Sequence, residues 1–441
     1  LRFSQARWLI ARLTTINPRS PNVTSPRSSS APPQKQTATS ALAQAARQKK
    51  EPETPVLIYA DTATNADQLY FSRVDVHDPF ITFGVGGKRY TVQSSLEFGR
   101  VKKAKTFDDV LSLEEWSARA KKTFAARTKN SPAVRAGTPP APPIGPAAII
   151  ATIAKAKRIR RFRVASDFPA ALFLKLGQLG LEIEIADGPL FPEREIKTPR
   201  EAAAIREGNR LSSVGFSAVE DILRRAKIRG RELIFENRPL TSERLHFAIQ
   251  AAILAEGGRA DDTIAAGGDQ ACDPHERGHG PLRPHELIIV DIFPRVAKTG
   301  YFGDMTRTYL KGRASDAQRR LVATVHAAQR AAIAAVREGV DGAHVHGQVL
   351  DTFAAAGYET RRDSRGAVGF FHGTGHGVGL AVHEAPRVNS QPYTLKKGSV
   401  ITVEPGLYYP GLGGCRIEDV VQVGARSAKL LSSHPYDWEI R

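Results

Sequence analysis

His372-Gly373-Thr374-Gly375-His376-Gly377-Val378-Gly379-Leu380-Ala381-Val382-His383-Glu384 is the stretch on which the fold turns. Its four glycines let the backbone approach other groups closely and rule out a stable helix. His372 and His376 are therefore not the i, i+4 pair of a zinc-binding helix, and each of the three histidines needs its own role. On either side lie apolar runs that end in acids: residues 287–290 reach Asp291, and residues 400–403 reach Glu404. A carboxylate at the end of a buried strand is costly unless it is paired, protonated or bound to a cation.

Two further acids share this pattern. In Gly303-Asp304-Met305-Thr306-Arg307-Thr308, strand alternation points Asp304, Thr306 and Thr308 to one face; in Cys415-Arg416-Ile417-Glu418-Asp419 it does the same for Arg416 and Glu418. Were these four carboxylates to converge on one place, they would repel strongly, and two divalent cations would cancel their charge. Oxygen-rich ligation with one imidazole suits Mn, Co, Fe or Zn. His279, His285, His344 and His346 stand at tempting spacings too, but are expected on the surface.

Outward from this core, helix signals are clear. Thr198-Pro199-Arg200-Glu201 supplies a hydroxyl cap, a proline at the first helical position and a carboxylate three residues after the cap. The helix it predicts has Ala204, Ile205, Leu211, Val214 and Val219 at near-helical spacing. Further helices are predicted over residues 242–255, 315–338 (with a Ser315/Gln318 capping box) and 346–356. Two helix-then-strand halves, each ending a buried run in a carboxylate, point to an internal pseudo-duplication.

Upstream, residues 56–59, 80–85 and 90–92 read as strands, the last two as a hairpin around Gly86-Gly87. Residues 161–165 and 181–185 add strands around a helix at 170–179. Residues 131–146 hold six prolines and are expected to be a loop. The chain thus divides into a segment 1–50, an α/β unit over 51–190 and a second unit over 197–441.

The length of 441 residues suits two folded units. The net charge of +18 is half carried by residues 1–50, which hold nine Lys or Arg and no acid; the rest is spread, so no specific nucleic-acid partner is expected. Two cysteines, Cys272 and Cys415, make no disulfide framework and fit a reducing cytoplasm. No stretch approaches the roughly 20 apolar residues that cross a bilayer, so no membrane association is expected. For residues 1–50 the preferred reading is a disordered basic tail or a start placed too far upstream, with an organelle-targeting segment as the alternative.

The order Asp, Asp, His, Glu, Glu, set in these words, resembles the creatinase, prolidase and aminopeptidase P group of metallopeptidases across residues 197–441. The resemblance implies an α+β chain: a C-terminal pita-bread catalytic domain and a smaller α/β N-terminal creatinase-like domain. It implies a peptide substrate and two divalent ions, Mn(II) being favoured and Co(II), Zn(II) and Fe(II) the alternatives. Asp291 would bind one ion, Asp304 and Glu418 would bridge both, and His376 with Glu404 would complete the other. The 13 positions from Asp291 to Asp304 exceed the usual spacing, which predicts a longer turn over residues 294–300.

Attack by a hydroxide shared between the ions is the implied chemistry, with Glu404 as proton shuttle and His383 and His275 contacting the substrate and stabilising the intermediate. His372 and Arg416 match positions that shape the site around a penultimate proline, which favours an N-terminal Xaa-Pro bond. Dimers are common in the group. Two alternatives stay open: a non-catalytic binding or chaperone-like protein of the same fold, and a methionine-aminopeptidase-like specificity.

Overall fold

Short apolar strands near the N-terminus pair into one mixed sheet. The computed structural model describes residues 54–129, 144–364 and 366–441. Strands β1 (Val56–Ala60), β2 (Phe80–Val85), β3 (Lys88–Gln93), β4 (Asp109–Ser112), β5 (Arg161–Val164) and β6 (Glu182–Ile185) run in the order β4-β3-β2-β1-β5-β6. β2 and β3 form the expected hairpin, closed by Gly86 and Gly87 at positive φ. Helices α1 (Ala66–Ser72), α2 (Ser95–Ala104), α3 (Leu113–Lys129), α4 (Pro146–Ala156) and α5 (Ala170–Gln178) accompany the sheet. Leu57, Phe83, Phe162, Ile153 and Leu176 form the heart of its core. Pro146 corrects the expected loop: it opens α4, because a proline at the first helical position gives up a hydrogen bond that the helix does not need there. The segment 1–50 and residues 131–143 of the proline-rich stretch lie outside the described residues.

Beyond a short turn at Pro192–Glu195, α6 (Pro199–Arg225) begins with the anticipated capping box: Glu201 N donates to Thr198 Oγ1, and Thr198 N donates to Glu201 Oε2. Its buried face runs through Ile205, Asn209, Ser212, Phe216 and Val219, whereas Ala204 and Val214 are only half-buried. α7 (Ser242–Ala255) packs on α6 and precedes β7 (Ile264–Gly267), β8 (Ile288–Ile292) and β9 (Met305–Lys311). These three strands are antiparallel, and β17 (Glu439–Ile440) joins the edge of β9.

The pattern then repeats. α8 (Asp316–Ala335), with its Ser315/Gln318 box, packs on α9 (Gly342–Ala355). They are followed by a second sheet, in the order β11 (Glu384–Val388), β10 (Gly375–Gly377), β12 (Val400–Val403), β15 (Asp419–Val423), β16 (Ala428–Leu430). A hairpin of β13 (Gly406–Tyr409) and β14 (Gly413–Arg416) lies between β12 and β15 in sequence. Two helix pairs, each followed by an antiparallel sheet, match the expected helix-then-strand halves, and the chain is α+β as anticipated.

Among the described residues, no helix is long and apolar enough to cross a membrane. His279, His285 and His344 are exposed, as expected. His346 is a correction: α9 begins earlier than its sequence cue, and the imidazole lies buried with Nδ1 at 2.8 Å from Thr374 Oγ1.

Candidate active site

Register brings the acids together. In the first sheet Asp291 stands directly opposite Thr306, inside a strand that runs one residue past it, to Ile292. In the second, Val403 pairs with Asp419, so the same register continued by one residue sets Glu404 against Glu418. The two sheets meet where Glu418 N donates to Thr306 O at 3.1 Å. Asp304 sits just ahead of β9, its N–H donating to Asn209 Oδ1 at 2.9 Å. Gly208 of α6 and Gly303 are in close backbone contact, and a Cβ on either would collide with the other's main chain. That contact lets a helix side chain hold the backbone of Asp304.

The glycines of the opening stretch do similar work. A Cβ at Gly375 would overlap the Thr402 carbonyl, and one at Gly377 would overlap that of Ala385. Their absence lets β10 lie between β11 and β12, and His376 N donates to Thr402 Oγ1 at 3.0 Å. His376 Nδ1–H then donates to Gly377 O at 3.1 Å, which leaves Nε2 free 3.6 Å from Asp304 Oδ2 and 3.4 Å from Glu404 Oε1. Burial, reinforced by His383, lowers the His376 pKa to about 3, so the ring is neutral and its lone pair is available.

The carboxylates show the opposite stress. Asp304 and Glu418 are held well above the usual carboxylate range, chiefly by burial and then by the other acids around them. Glu404 is pushed up to about 7, again with burial as the first cause. One donor atom each from Asp304, His376 and Glu418 lies within 4.8 Å of the others. Asp291 presents a buried Oδ1 with no hydrogen-bond partner, its Oδ2 accepting from Arg416 at 2.8 Å. An orphaned carboxylate oxygen, a neutral imidazole and three acids forced toward protonation fit divalent cations, which would restore the ionised forms.

This stress sets a pH signature. A carboxyl whose folded pKa lies above its unfolded value adds stability below that unfolded value, near 4, and loses it as pH rises through the folded one. Metal-free protein should therefore melt several degrees lower at pH 8 than at pH 5, with Glu404 titrating out at about 7. Metal-loaded protein should reverse the trend, because binding releases those protons. Differential scanning calorimetry with and without chelator reads both slopes.

The remaining candidates take different places. Arg416 is 3% exposed; it donates to Asp291, to Thr306 Oγ1 at 3.2 Å, to the Tyr408 hydroxyl at 3.1 Å and to Pro274 O at 3.4 Å. Every one of these partners is a protein group. His372 donates from Nδ1 to Gly373 O, and its Nε2 accepts from the Tyr408 hydroxyl at 2.9 Å; burial and then Arg416 lower its pKa to about 3. His275 and His383 are exposed, and the His383 ring meets His376 edge-on with centroids 4.3 Å apart. His383 also lines a cleft of about 770 Å³ between α1 and β11.

Sequence reading missed three contributors. Asn209 interrupts the apolar face of α6, a polar residue where burial was expected. Tyr408 stands two and four residues beyond Gly406 and Glu404, so strand alternation aims it back toward the site. Arg387, exposed in the cleft, lies on β11 opposite His376; it makes no salt bridge among the described residues, though its charge acts on Glu404. The long turn between Asp291 and Asp304 is present: Gly300 N donates to Val296 O at 2.8 Å, and Val296 N to Tyr301 O at 2.9 Å.

Residues 203–425 match the profile of metallopeptidase family M24. The probable dipeptidase PepE of Mycobacterium tuberculosis is 36% identical over 195 residues, covering 43% of this chain and 49% of that protein. The Xaa-Pro dipeptidase of Pyrococcus furiosus is 35% identical over 182 residues, covering 39% and 47%. The alignments thus span about half the length of these curated relatives. Among solved structures, the Xaa-Pro dipeptidase from Bacillus anthracis superposes with a TM-score of 0.69 at 20% identity, over 88% of this chain and 95% of that one. The fold is thus the pita-bread one, with a smaller α/β domain ahead of it.

Proposed function

The chain belongs to metallopeptidase family M24, in its creatinase, prolidase and aminopeptidase P group, and from that premise we propose that it is a dinuclear exopeptidase acting on N-terminal Xaa-Pro bonds. The observation that carries the proposal is the cluster of Asp304, His376 and Glu418 within 4.8 Å, with Glu404 Oε1 3.4 Å from the neutral His376 ring and an orphaned oxygen on Asp291, whose charge acts on Asp304. In this reading residues 51–190 form the N-terminal domain and 197–441 the catalytic one. Asp304 and Glu418 would hold both ions, Asp291 one, and His376 with Glu404 the other. When bound, two divalent ions, Mn(II) by family likeness, would acidify a water and polarise the scissile carbonyl.

The chain's own residues do the rest. Glu404 can take a proton and pass it to the leaving nitrogen. His275 and His383 stand on the open side, where an N–H can meet the carbonyl oxygen as it gains charge. Thr306 fixes Glu418 by donating to Oε2 at 2.8 Å. Arg416 steadies Asp291, and through Tyr408 it also steadies His372, so both would shape the proline subsite by holding its walls. A bond before proline has no N–H, which defeats subsites that read that donor and calls for such a built site.

Arg387 extends the reading to substrate length. An exposed guanidinium beside His383 suits the terminal carboxylate of a short peptide. Arg387→Ala should raise KM for an Xaa-Pro dipeptide about tenfold, the worth of one charge-assisted hydrogen bond, and change longer peptides less. A panel of Xaa-Pro dipeptides, Xaa-Pro tripeptides and Met-Ala peptides on Mn(II)-loaded protein tests the whole proposal. Preference for Met-Ala peptides would replace the proline reading with the methionine-aminopeptidase-like one.

A further inference from the structure

The loop from Val378 to His383 is held at its base by one carboxylate. Glu384 Oε1 accepts from Ala381 N at 2.9 Å and also from Arg194 Nη2, while Lys197 Nζ lies 3.2 Å from Oε2. Arg194 continues outward: its Nη1 donates to Asp67 at 2.5 Å, on the first turn of α1. Two acids and two bases thus form a neutral set whose side chains are 2–15% exposed. A second tie runs in parallel. Arg295, in the long turn between Asp291 and Asp304, donates to Thr62 O at 3.1 Å and to Ala63 O, and Phe302 N donates to Gly379 O at 2.8 Å.

Buried ion pairs add little net stability compared with apolar packing of the same volume, but they fix register. Here the register fixed is that of the residue next to His383 against the cleft wall at residues 64–67. We propose that Arg194 is a positioning residue: by joining Asp67 to Glu384 it lets the N-terminal domain set the placement of His383 in the cleft. The functional half of this inference rests on the peptidase reading; the mechanical half does not.

Full-length, Mn(II)-loaded Arg194→Met, Arg194→Lys and Asp67→Asn proteins test it, by hydrogen exchange of residues 378–384 and by steady-state kinetics on an Xaa-Pro dipeptide. Arg194→Met should speed exchange in 378–384 about tenfold while β12 keeps its protection, and should lower kcat about tenfold with KM and metal content little changed. Arg194→Lys should restore part of both. Asp67→Asn, nearly isosteric and remote from the loop, should speed the same exchange to a smaller degree. Unchanged exchange in 378–384 in either Arg194→Met or Asp67→Asn overturns the proposal. So does exchange raised throughout the protein with loss of metal, the mark of a merely structural role. Should wild-type protein turn over no peptide, the peptidase reading fails by itself and the exchange data still decide the coupling.

Discussion

Glu404→Gln protein should fold and take up metal, yet hydrolyse Xaa-Pro peptides about a thousandfold more slowly, the usual reach of a positioned proton-transfer group. Folding should survive because the Glu404 carboxyl is already pushed up to about 7, so a neutral amide of the same shape meets an environment that tolerates the neutral form. The Thr402 hydroxyl, 3.4 Å from Oε1, can still donate to the amide oxygen. What the amide cannot do is accept a proton and return it. The loss should therefore appear in kcat rather than KM. Turnover within a few-fold of wild type would remove Glu404 from the shuttle role.

Asp304→Asn should be as damaging for a different reason. Asp304 is buried among acids, and its carboxyl is held far above its ordinary pKa by burial first and by Asp291 and Glu404 next. With metal bound, the substitution removes a charge from the proposed bridging position; metal content should fall below two ions per chain, and activity should drop by about three orders of magnitude. Without metal, the same change relieves like-charge repulsion, so the variant should melt at or above the wild-type temperature at pH 8. That reversal of sign between the two states is the informative result. A variant that binds two ions as tightly as wild type would refute the ligand assignment.

The first of these residues was easier to read in the sequence than the second. Glu404, His376 and Glu418 sit in glycine-rich or strand-ending words whose chemistry allows few other uses, and the structure brings them together. Asp304 and Asp291 carry the unusual spacing, and its cause is visible only in three dimensions: the extra turn presents Arg295 to the main chain of Thr62 and Ala63. Asn209, Tyr408 and the Arg194 bridge were silent because each acts at a distance in sequence, through a partner 95, 36 or 190 positions away. His346 misled because an imidazole near a helix start reads as solvated until Thr374 is seen to cover it. Strand alternation and capping boxes are local and were legible; the packing of α6 on Gly303 is not local and was not.

Titrating Mn(II) into chelator-stripped protein while following hydrolysis of an Xaa-Pro dipeptide tests the dinuclear site most directly. Activity should be absent at the start, rise with added metal and reach its plateau at two equivalents per chain. No turnover with any divalent ion, or a full plateau at one equivalent, would contradict it.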